Sequence, residues 1–364
     1  MAVVFILFSA NTSAQDILLG NASLEGIPHR GIVPKPWYIY SNSPDTQPAA
    51  EILLLPSNGK TYVGALYGNG YYECFAQDLE TSLKPGKVYQ LSFDLAYPPY
   101  YTKNICNGSL AIYGANPGEV PILLWESGAF YNTDWKTYTA ILKPQKEYRQ
   151  IIAGPNYVAP CSSCNCNATA VLVDNFSSAI KEIPQAEIGI QNTCKDRGTG
   201  RAKVSIKSGV PPFRYHWSTD ITGVNKDNNE LHDLKMGTYN VSVISANGLA
   251  IMLNFNIGEE DMDIKSEVIP PSCYGYKDAV IKLGVTAGAP PYSYEMNHGV
   301  VVQNQPVFTK LGAGQYNFKI TDDLGCSTPI LTVEITETRP LQISATNVEP
   351  PCNDARTRRM IING

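Results

Sequence analysis

The stretch Gly288-Ala289-Pro290-Pro291-Tyr292-Ser293-Tyr294 decides how the second half of this 364-residue chain is organised, because it occurs twice. Gly209-Val210-Pro211-Pro212-Phe213-Arg214-Tyr215 precedes it by 79 residues. Cys194, Cys273 and Cys352 keep the same spacing of 79 residues. The second half is therefore a tandem repeat.

Each repeat has the pattern of short strands. Tyr316, Phe318 and Ile320 alternate with polar residues, which predicts a half-buried strand, and the first repeat alternates likewise from Tyr239 to Val243. Turn residues recur about every ten positions, and this spacing is typical of a β-sandwich.

The second repeat resembles a known family. Its order is Cys273, then Gly-x-Pro-Pro-Tyr-x-Tyr, then Leu-x-x-Gly-x-Tyr, and then Thr-Asp-x-x-Gly-Cys ending at Cys326. This order is similar to the SprB-type repeat of gliding-motility adhesins and other large surface proteins of gliding bacteria. The resemblance covers roughly residues 185–341 and implies Ig-like folds, a cell-surface location and a spacer or adhesive role. On this pattern Cys273 and Cys326 could close a disulfide within the second repeat. Cys194 could not copy it, because the first repeat has Asn247-Gly248-Leu249 where the pattern has Gly-Cys.

The composition favours an all-β protein throughout. Charged residues make up only 17% of the chain, whereas Gly 29, Pro 26 and Tyr 22 are numerous, as in short strands joined by loops. The net charge of −5 comes without a basic stripe, which argues against nucleic acid and against an anionic membrane surface as partners. No segment beyond the N-terminus approaches the ~20 apolar residues that span a bilayer, so no membrane insertion is expected.

The N-terminus predicts export. An apolar run from Ala2 to Phe8 is followed by small residues that suit cleavage before Gln15, although no Lys or Arg precedes the run. We expect a signal peptide at 1–14, a first domain at 16–181, repeats at 186–262 and 263–341, and the start of a third repeat at 342–364. Residues 356–360 lack the alternation of a next strand, which suggests a truncated or frameshifted unit.

The first domain resembles the galactose-binding-like jelly rolls that include many carbohydrate-binding modules. The motifs that carry the resemblance are Asn-x-Ser-x-Glu-Gly at 21–26, Leu-x-x-Gly-x-x-Tyr-x-Leu-Ser-Phe at 83–93 and Val-Asp-Asn at 173–175. The expected fold is thus an N-terminal jelly-roll β-sandwich followed by tandem Ig-like β-sandwich repeats.

Aromatic residues in turn-rich sequence are the candidate ligand contacts, because sugar rings stack on exposed aromatic faces. The alternative is that these side chains cover the ends of the core. The candidates are Trp37, Tyr38, Tyr40, Tyr67, Tyr71, Tyr72, Tyr100 and Tyr101.

The resemblance also implies a structural calcium ion between the first and last strands, with Glu25 and Asp174 in the matching positions. The alternative is a capped turn and a solvated acid, and no other cofactor is expected. In an exported protein the cysteines are candidates for disulfides, with at least one of the nine left without a partner within the chain. In the first domain these are Cys74, Cys106, Cys161, Cys164 and Cys166, of undetermined connectivity, and a zinc site would need more ligands than this cluster supplies.

No catalytic motif appears among the four scattered histidines, and no Gly-x-Ser-x-Gly elbow is present. The sequence therefore predicts a non-catalytic exported adhesin that binds a glycan or another surface polymer through the first domain. The alternatives are a purely structural surface spacer and the non-catalytic front part of a larger secreted hydrolase.

Overall fold

The computed structural model describes residues 16–49, 52–68, 70–102, 104–157, 159, 167–195, 197–218, 228–297, 301–348 and 359–363. Every regular element in these residues is a β-strand, which confirms the prediction of an all-β chain. None of the described residues belongs to a helix that could cross a membrane. The predicted signal peptide lies outside the described residues.

The chain divides into two compact units, which are described separately. The first comprises Met1–Gly189, Lys203–Asn229 and Tyr239–Asn254, and the second comprises Ile190–Ala202, Glu230–Thr238 and Phe255–Gly364.

A two-sheet sandwich, here called the N-terminal sandwich, begins the first unit. Its strands are β1 (Ile17–Leu18), β2 (Tyr38–Ser41), β3 (Asp45–Gln47), β4 (Tyr62–Gly68), β5 (Tyr71–Tyr72), β6 (Cys74–Leu83), β7 (Val88–Ala96), β8 (Ile105–Asn107), β9 (Ala111–Ala115), β10 (Ile122–Glu126), β11 (Lys136–Leu142), β12 (Tyr148–Gly154), β13 (Ala168–Asp174) and β14 (Ala179–Ile183). One sheet has the order β1-β14-β7-β13-β4-β3, with β11 beside β7, β5 beside β4 and β8 beside β13. The other has the order β10-β9-β12-β6-β2.

The core lies between these two sheets and is built on aromatic rings. Phe75 comes from β6 in the five-stranded sheet and Phe93 from β7 in the opposite sheet, and both pack against Phe176. The alternation predicted for β7 is confirmed, because Leu91, Phe93 and Leu95 are fully buried.

The two repeats follow as further strands. The first repeat has β15 (Gln185–Gln191), β16 (Thr193–Cys194), β17 (Gly200–Ser208), β18 (Arg214–Trp217), β19 (Glu230–Leu234), β20 (Gly237–Ile244) and β21 (Ala250–Ile257), and β22 (Glu259–Glu260) follows them. The second has β23 (Ile264–Ile269), β24 (Ala279–Val285), β25 (Ser293–Met296), β26 (Val301–Gln303), β27 (Val307–Leu311), β28 (Gly314–Thr321) and β29 (Leu331–Ile335). Sheets of order β15-β17-β19 and β18-β20-β21 serve the first repeat, while β16 pairs with β22.

The second repeat is a sandwich of two sheets, with strand orders β23-β24-β27 and β26-β25-β28-β29. Phe318 and Ile320 of β28 are fully buried, as the alternation at 316–320 predicts, and Phe318 packs against Phe308 from the opposite sheet. This core is separate from that of the N-terminal sandwich.

A further hairpin continues the repeat. β30 (Ser344–Val348) pairs antiparallel with β31 (Arg359–Asn363), and the bounds of the two strands lie 79 residues beyond those of β23 and β24 to within one residue. The expectation that the sequence after Cys352 does not supply the next strand is therefore wrong. The side chains described in both strands of the hairpin are exposed, so no buried face requires apolar and polar residues to alternate, and the sequence pattern does not reveal β31.

Candidate ligand-binding site

A large open cleft lies at one edge of the N-terminal sandwich, beside β3, the hairpin of β4 and β5, and the loop before β8. Its volume is about 1030 Å³. Three of the predicted tyrosines line it, together with one arginine, two carboxyl groups and several small polar side chains. The lining residues are Arg30, Gly31, Ser43, Asp45, Gln47, Ala49, Ile52, Leu66, Tyr71, Glu73, Pro99, Tyr100, Tyr101, Thr102 and Asn104.

The three tyrosines differ in exposure. The Tyr100 side chain is 84% exposed and Tyr71 is 50% exposed, so solvent reaches both rings. Tyr101 is fixed in place instead, because its hydroxyl donates to Asp45 Oδ2 at 2.8 Å. Its ring lies over Gly64, where an added Cβ would come within 2.8 Å of the ring carbon Cε2. Glycine at this position of β4 therefore makes room for the ring.

The two carboxyl groups of the cleft are held by backbone amides. Asp45 Oδ1 accepts a hydrogen bond from the Gly31 amide at 2.7 Å. Glu73 Oε2 accepts one from the Leu66 amide at 2.8 Å. Burial raises the pKa of Glu73 to about 7, and the nearby Asp45 carboxylate adds to the rise against the effect of the Leu66 bond. Near neutral pH, Glu73 is thus a carboxyl group that can either donate or accept a proton in a hydrogen bond.

Sequence reasoning missed these two carboxyl groups. The only signal for Glu73 is its place between Tyr72 and Cys74, an acid within an otherwise apolar segment. Asp45 directly follows Ser43-Pro44, which reads as an ordinary turn.

Trp37 was predicted as a ligand contact, and the structure corrects this. The side chain is only 2% exposed and packs on Phe75 and Phe176, with ring centroids 5.3 and 5.1 Å away. Its indole N–H donates to the Asn21 carbonyl oxygen at 3.2 Å. Trp37 is a core residue because the segment before β2 turns its side chain inward.

The other predicted tyrosines lie outside the cleft. Tyr38 is half-buried and its hydroxyl donates to Asp78 Oδ1 at 3.1 Å on the five-stranded sheet. Tyr40 is exposed on the same strand, β2. Tyr67 and Tyr72 face each other across the β4–β5 hairpin, with ring centroids 5.7 Å apart. The structure therefore brings together Tyr71, Tyr100 and Tyr101 and separates the remaining candidates from them.

Glu25 and Asp174, the predicted calcium ligands, contact one loop, 57–60. Both carboxylate oxygens of Glu25 accept from the Lys60 amide at 3.0 Å. Asp174 Oδ2 accepts from the Asn58 amide at 3.0 Å. Asp174 Oδ1 accepts from the Asn175 amide at 2.7 Å. Among the described residues no group of three or more His, Cys, Asp or Glu side chains could hold a metal ion. Calcium takes six to eight oxygens, more than these two carboxyl groups supply, and the calcium site stays a prediction.

The cysteine pairing differs from the expectation. Cys326 forms a disulfide with Cys194, with a Cα–Cα distance of 5.3 Å, and Cys273 is an exposed free thiol. The predicted bridge from Cys273 to Cys326 is therefore wrong. Met262, just before β23, belongs to the same core cluster as Cys326. Cys273 follows the other end of β23, whose six residues span roughly 20 Å at ~3.3 Å per residue. Disulfide geometry allows at most about 7 Å between Cα atoms.

Two further disulfide candidates are also free thiols. Cys74 is buried on β6 with its Sγ against the backbone of Gly154, and burial raises the pKa of its thiol. Cys106 lies half-buried on β8. Cys161, Cys164 and Cys166 lie outside the described residues.

Comparison with known proteins gives one family match. The family model of the SprB repeat matches residues 266–301, within the second repeat, which confirms the resemblance there. A search of curated proteins found no match.

Two solved structures match this chain at low similarity. An arabinose-bound MgGH51 α-L-arabinofuranosidase is 14% identical, with a TM-score of 0.31, over 45% of this chain and 26% of that chain. Dimeric latent PorU from Porphyromonas gingivalis is 10% identical, with a TM-score of 0.16, over 75% of this chain and 33% of that chain. The chain thus spans a third or less of either structure, and neither supports an argument about function.

Proposed function

We propose that this chain is a non-catalytic cell-surface adhesin, in which an N-terminal jelly roll binds a glycan and the repeats form a stalk. SprB repeats are typical of surface proteins, and the disulfide between Cys194 and Cys326 indicates a protein outside the cytoplasm. Export through a signal peptide at 1–14 belongs to the same proposal.

The observation that carries the proposal is the cleft, which is lined by two exposed tyrosines and by two carboxyl groups that backbone amides hold in place. Sugar rings offer C–H faces to aromatic rings, and Tyr71 and Tyr100 are the exposed rings here. Asp45 and Glu73 supply oxygens for sugar hydroxyl groups. The volume of about 1030 Å³ is at the upper end of small-molecule sites, about 300–1,000 Å³, which suits an oligosaccharide better than a single sugar.

A glycan array probed with the whole chain, in calcium and in EDTA, tests this proposal. We expect binding that Tyr100→Ala weakens by about tenfold, equivalent to roughly 1.4 kcal/mol, without a change in melting temperature. Tyr131→Ala is the matched control, because Tyr131 is 61% exposed on the same sandwich and lies outside the cleft lining. Both variants should fold, since both rings are mostly in solvent.

The outcomes separate the candidate functions. Equal loss in both variants would place the ligand elsewhere on the sandwich. No binding by a folded chain would favour the purely structural spacer, and release of sugar from a bound glycan would overturn the non-catalytic assignment.

A further inference from the structure

The disulfide between Cys194 and Cys326 joins two different repeats. Cys194 belongs to the segment after β15 of the first repeat, and Cys326 follows β28 of the second, 132 residues later. Cys194 is only 4% exposed and belongs to the core cluster of the second repeat, which also includes Met262.

Several contacts position this bridge. Cys194 pairs with Glu260 as β16 runs parallel to β22, the segment that leads into the second repeat. Lys195 forms an ion pair with Asp261 at 2.9 Å, and the Arg197 guanidinium donates to the Gly325 carbonyl oxygen at 3.1 Å. Besides the disulfide, an ion pair and a hydrogen bond therefore join the segment that carries Cys194 in the first repeat to the second repeat and the segment that leads into it.

The repeat period places Cys273 at the position of Cys194, one repeat further on. The hairpin of β30 and β31 continues the same register. Leu341, which corresponds to the buried Met262, is 80% exposed, and Ile343, which corresponds to Ile264, is 62% exposed. Cys273 itself is exposed and free. The second repeat thus has the same thiol and the same apolar positions as the contact between the first and second repeats, but here these positions are exposed.

The distribution of turn cysteines fits a rule in which each bridge crosses a repeat boundary. The second repeat has Cys326 in its Gly-Cys turn, and a cysteine-bearing repeat precedes it. The first repeat has Leu249 at that position, and the N-terminal sandwich precedes it rather than another repeat.

We propose that Cys273 forms a disulfide with the Gly-Cys turn cysteine of a following SprB-type repeat, so that consecutive repeats are linked in series. The bridge forms by thiol–disulfide exchange with a disulfide donor, which takes up two electrons and both protons and leaves as a dithiol. The inference is independent of ligand binding by the N-terminal sandwich.

One test uses the chain as it is, with Cys194→Ser. If each bridge crosses a repeat boundary, Cys326 has no partner in this variant. Non-reducing peptide mapping after alkylation should then find both Cys273 and Cys326 alkylated. A cross-linked peptide joining Cys273 to Cys326 would overturn the proposal. Cys273→Ser is the matched control, because it should leave the bridge between Cys194 and Cys326 intact.

A second test supplies the missing partner. A chain that ends at Leu341 and continues with a second copy of residues 263–341 puts a new turn cysteine 132 residues after Cys273, the separation of the first bridge. We expect a peptide that joins Cys273 to this new cysteine, in addition to the bridge between Cys194 and Cys326. Replacing the new cysteine by serine should leave Cys273 alkylated. The proposal would be refuted by a free Cys273 in a chain that retains the bridge between Cys194 and Cys326. A new cysteine that is bridged within its own repeat would refute it as well.

Discussion

Glu73→Gln tests whether the cleft contains a carboxyl group that is held protonated by burial. Glu73 is 5% exposed and accepts hydrogen bonds from the Leu66 amide and the Ser43 hydroxyl. Glutamine is nearly the same size and keeps an acceptor for the Leu66 amide. Its side-chain amide can donate to the Ser43 hydroxyl oxygen, so the substitution removes the ionisation and keeps the contacts.

The magnitude follows from the pKa difference. The pKa of Glu73 rises from 4.5 to about 7 on folding, so the unfolded chain ionises first as the pH increases. The stability that protonated Glu73 allows is fully present below pH 4.5 and is lost as the pH rises through about 7. The difference corresponds to about 3 kcal/mol. At about 2–4 °C per kcal/mol for a domain of this size, the variant should melt roughly 6–12 °C higher at pH 8.

Calorimetry of the whole chain at pH 4.5, 6 and 8 measures this effect. We expect wild type and Glu73→Gln to melt together at pH 4.5 and to separate progressively above it. Burial raises the pKa of Asp174 to about 6, which adds a slope of the same sign in both chains and cancels in their difference. Glu80→Gln, an exposed change on β6, is the control and should not alter the profile. An equal difference at all three pH values, or a wild type that is the more stable at pH 8, would refute the reasoning.

Three other outcomes are expected. Trp37→Ala should lower the free energy of unfolding by about 3–5 kcal/mol in urea titration, because it leaves a cavity in the core. A loss below about 1 kcal/mol would contradict the placement of Trp37 in the core. Gly64→Ala should displace the Tyr101 ring and weaken glycan binding, whereas Gly284→Ala, where an added Cβ meets no atom within 4 Å, should not; equal affinities would contradict the packing argument. Calcium should leave the melting temperature unchanged, because backbone amides of the loop at 57–60 and of Asn175 already donate to the carboxylate oxygens of Glu25 and Asp174; a rise that EDTA reverses would support the calcium prediction instead.

The sequence predicted those parts of the fold that depend on local periodicity. The alternation at 316–320 identified β28, and the alternation before Leu95 identified β7, because one buried face leaves a period of two in the sequence. The strand β31 escaped the same reasoning. Where neither face is buried there is no selection for alternation, and a pattern search then finds nothing.

The cleft could be predicted only in part, because it depends on which side of a strand each residue faces. Tyr71 and Tyr72 are neighbours in β5, yet Tyr71 lines the cleft while Tyr72 turns to Tyr67. Neighbouring residues of a strand point to opposite faces, so the aromatic cluster in the sequence divides in space. Asp45 joins the site through the pairing of β3 with β4, a contact between segments that local patterns do not specify.

The cysteines show where a repeat pattern misleads when each repeat is treated as a closed domain. Cys273 and Cys326 belong to one motif, and pairing them assumes that the motif is also the unit of covalent linkage. The length of β23 exceeds the distance that a disulfide can span between the two ends of the second repeat. Two cysteines at opposite ends of such a sandwich are out of reach of each other. Cys194 of the first repeat and Cys326 of the second are close enough to bond. The bridge between Cys194 and Cys326 therefore resists separation of two consecutive repeats, and under the proposal the bridge of Cys273 would do the same at the next boundary.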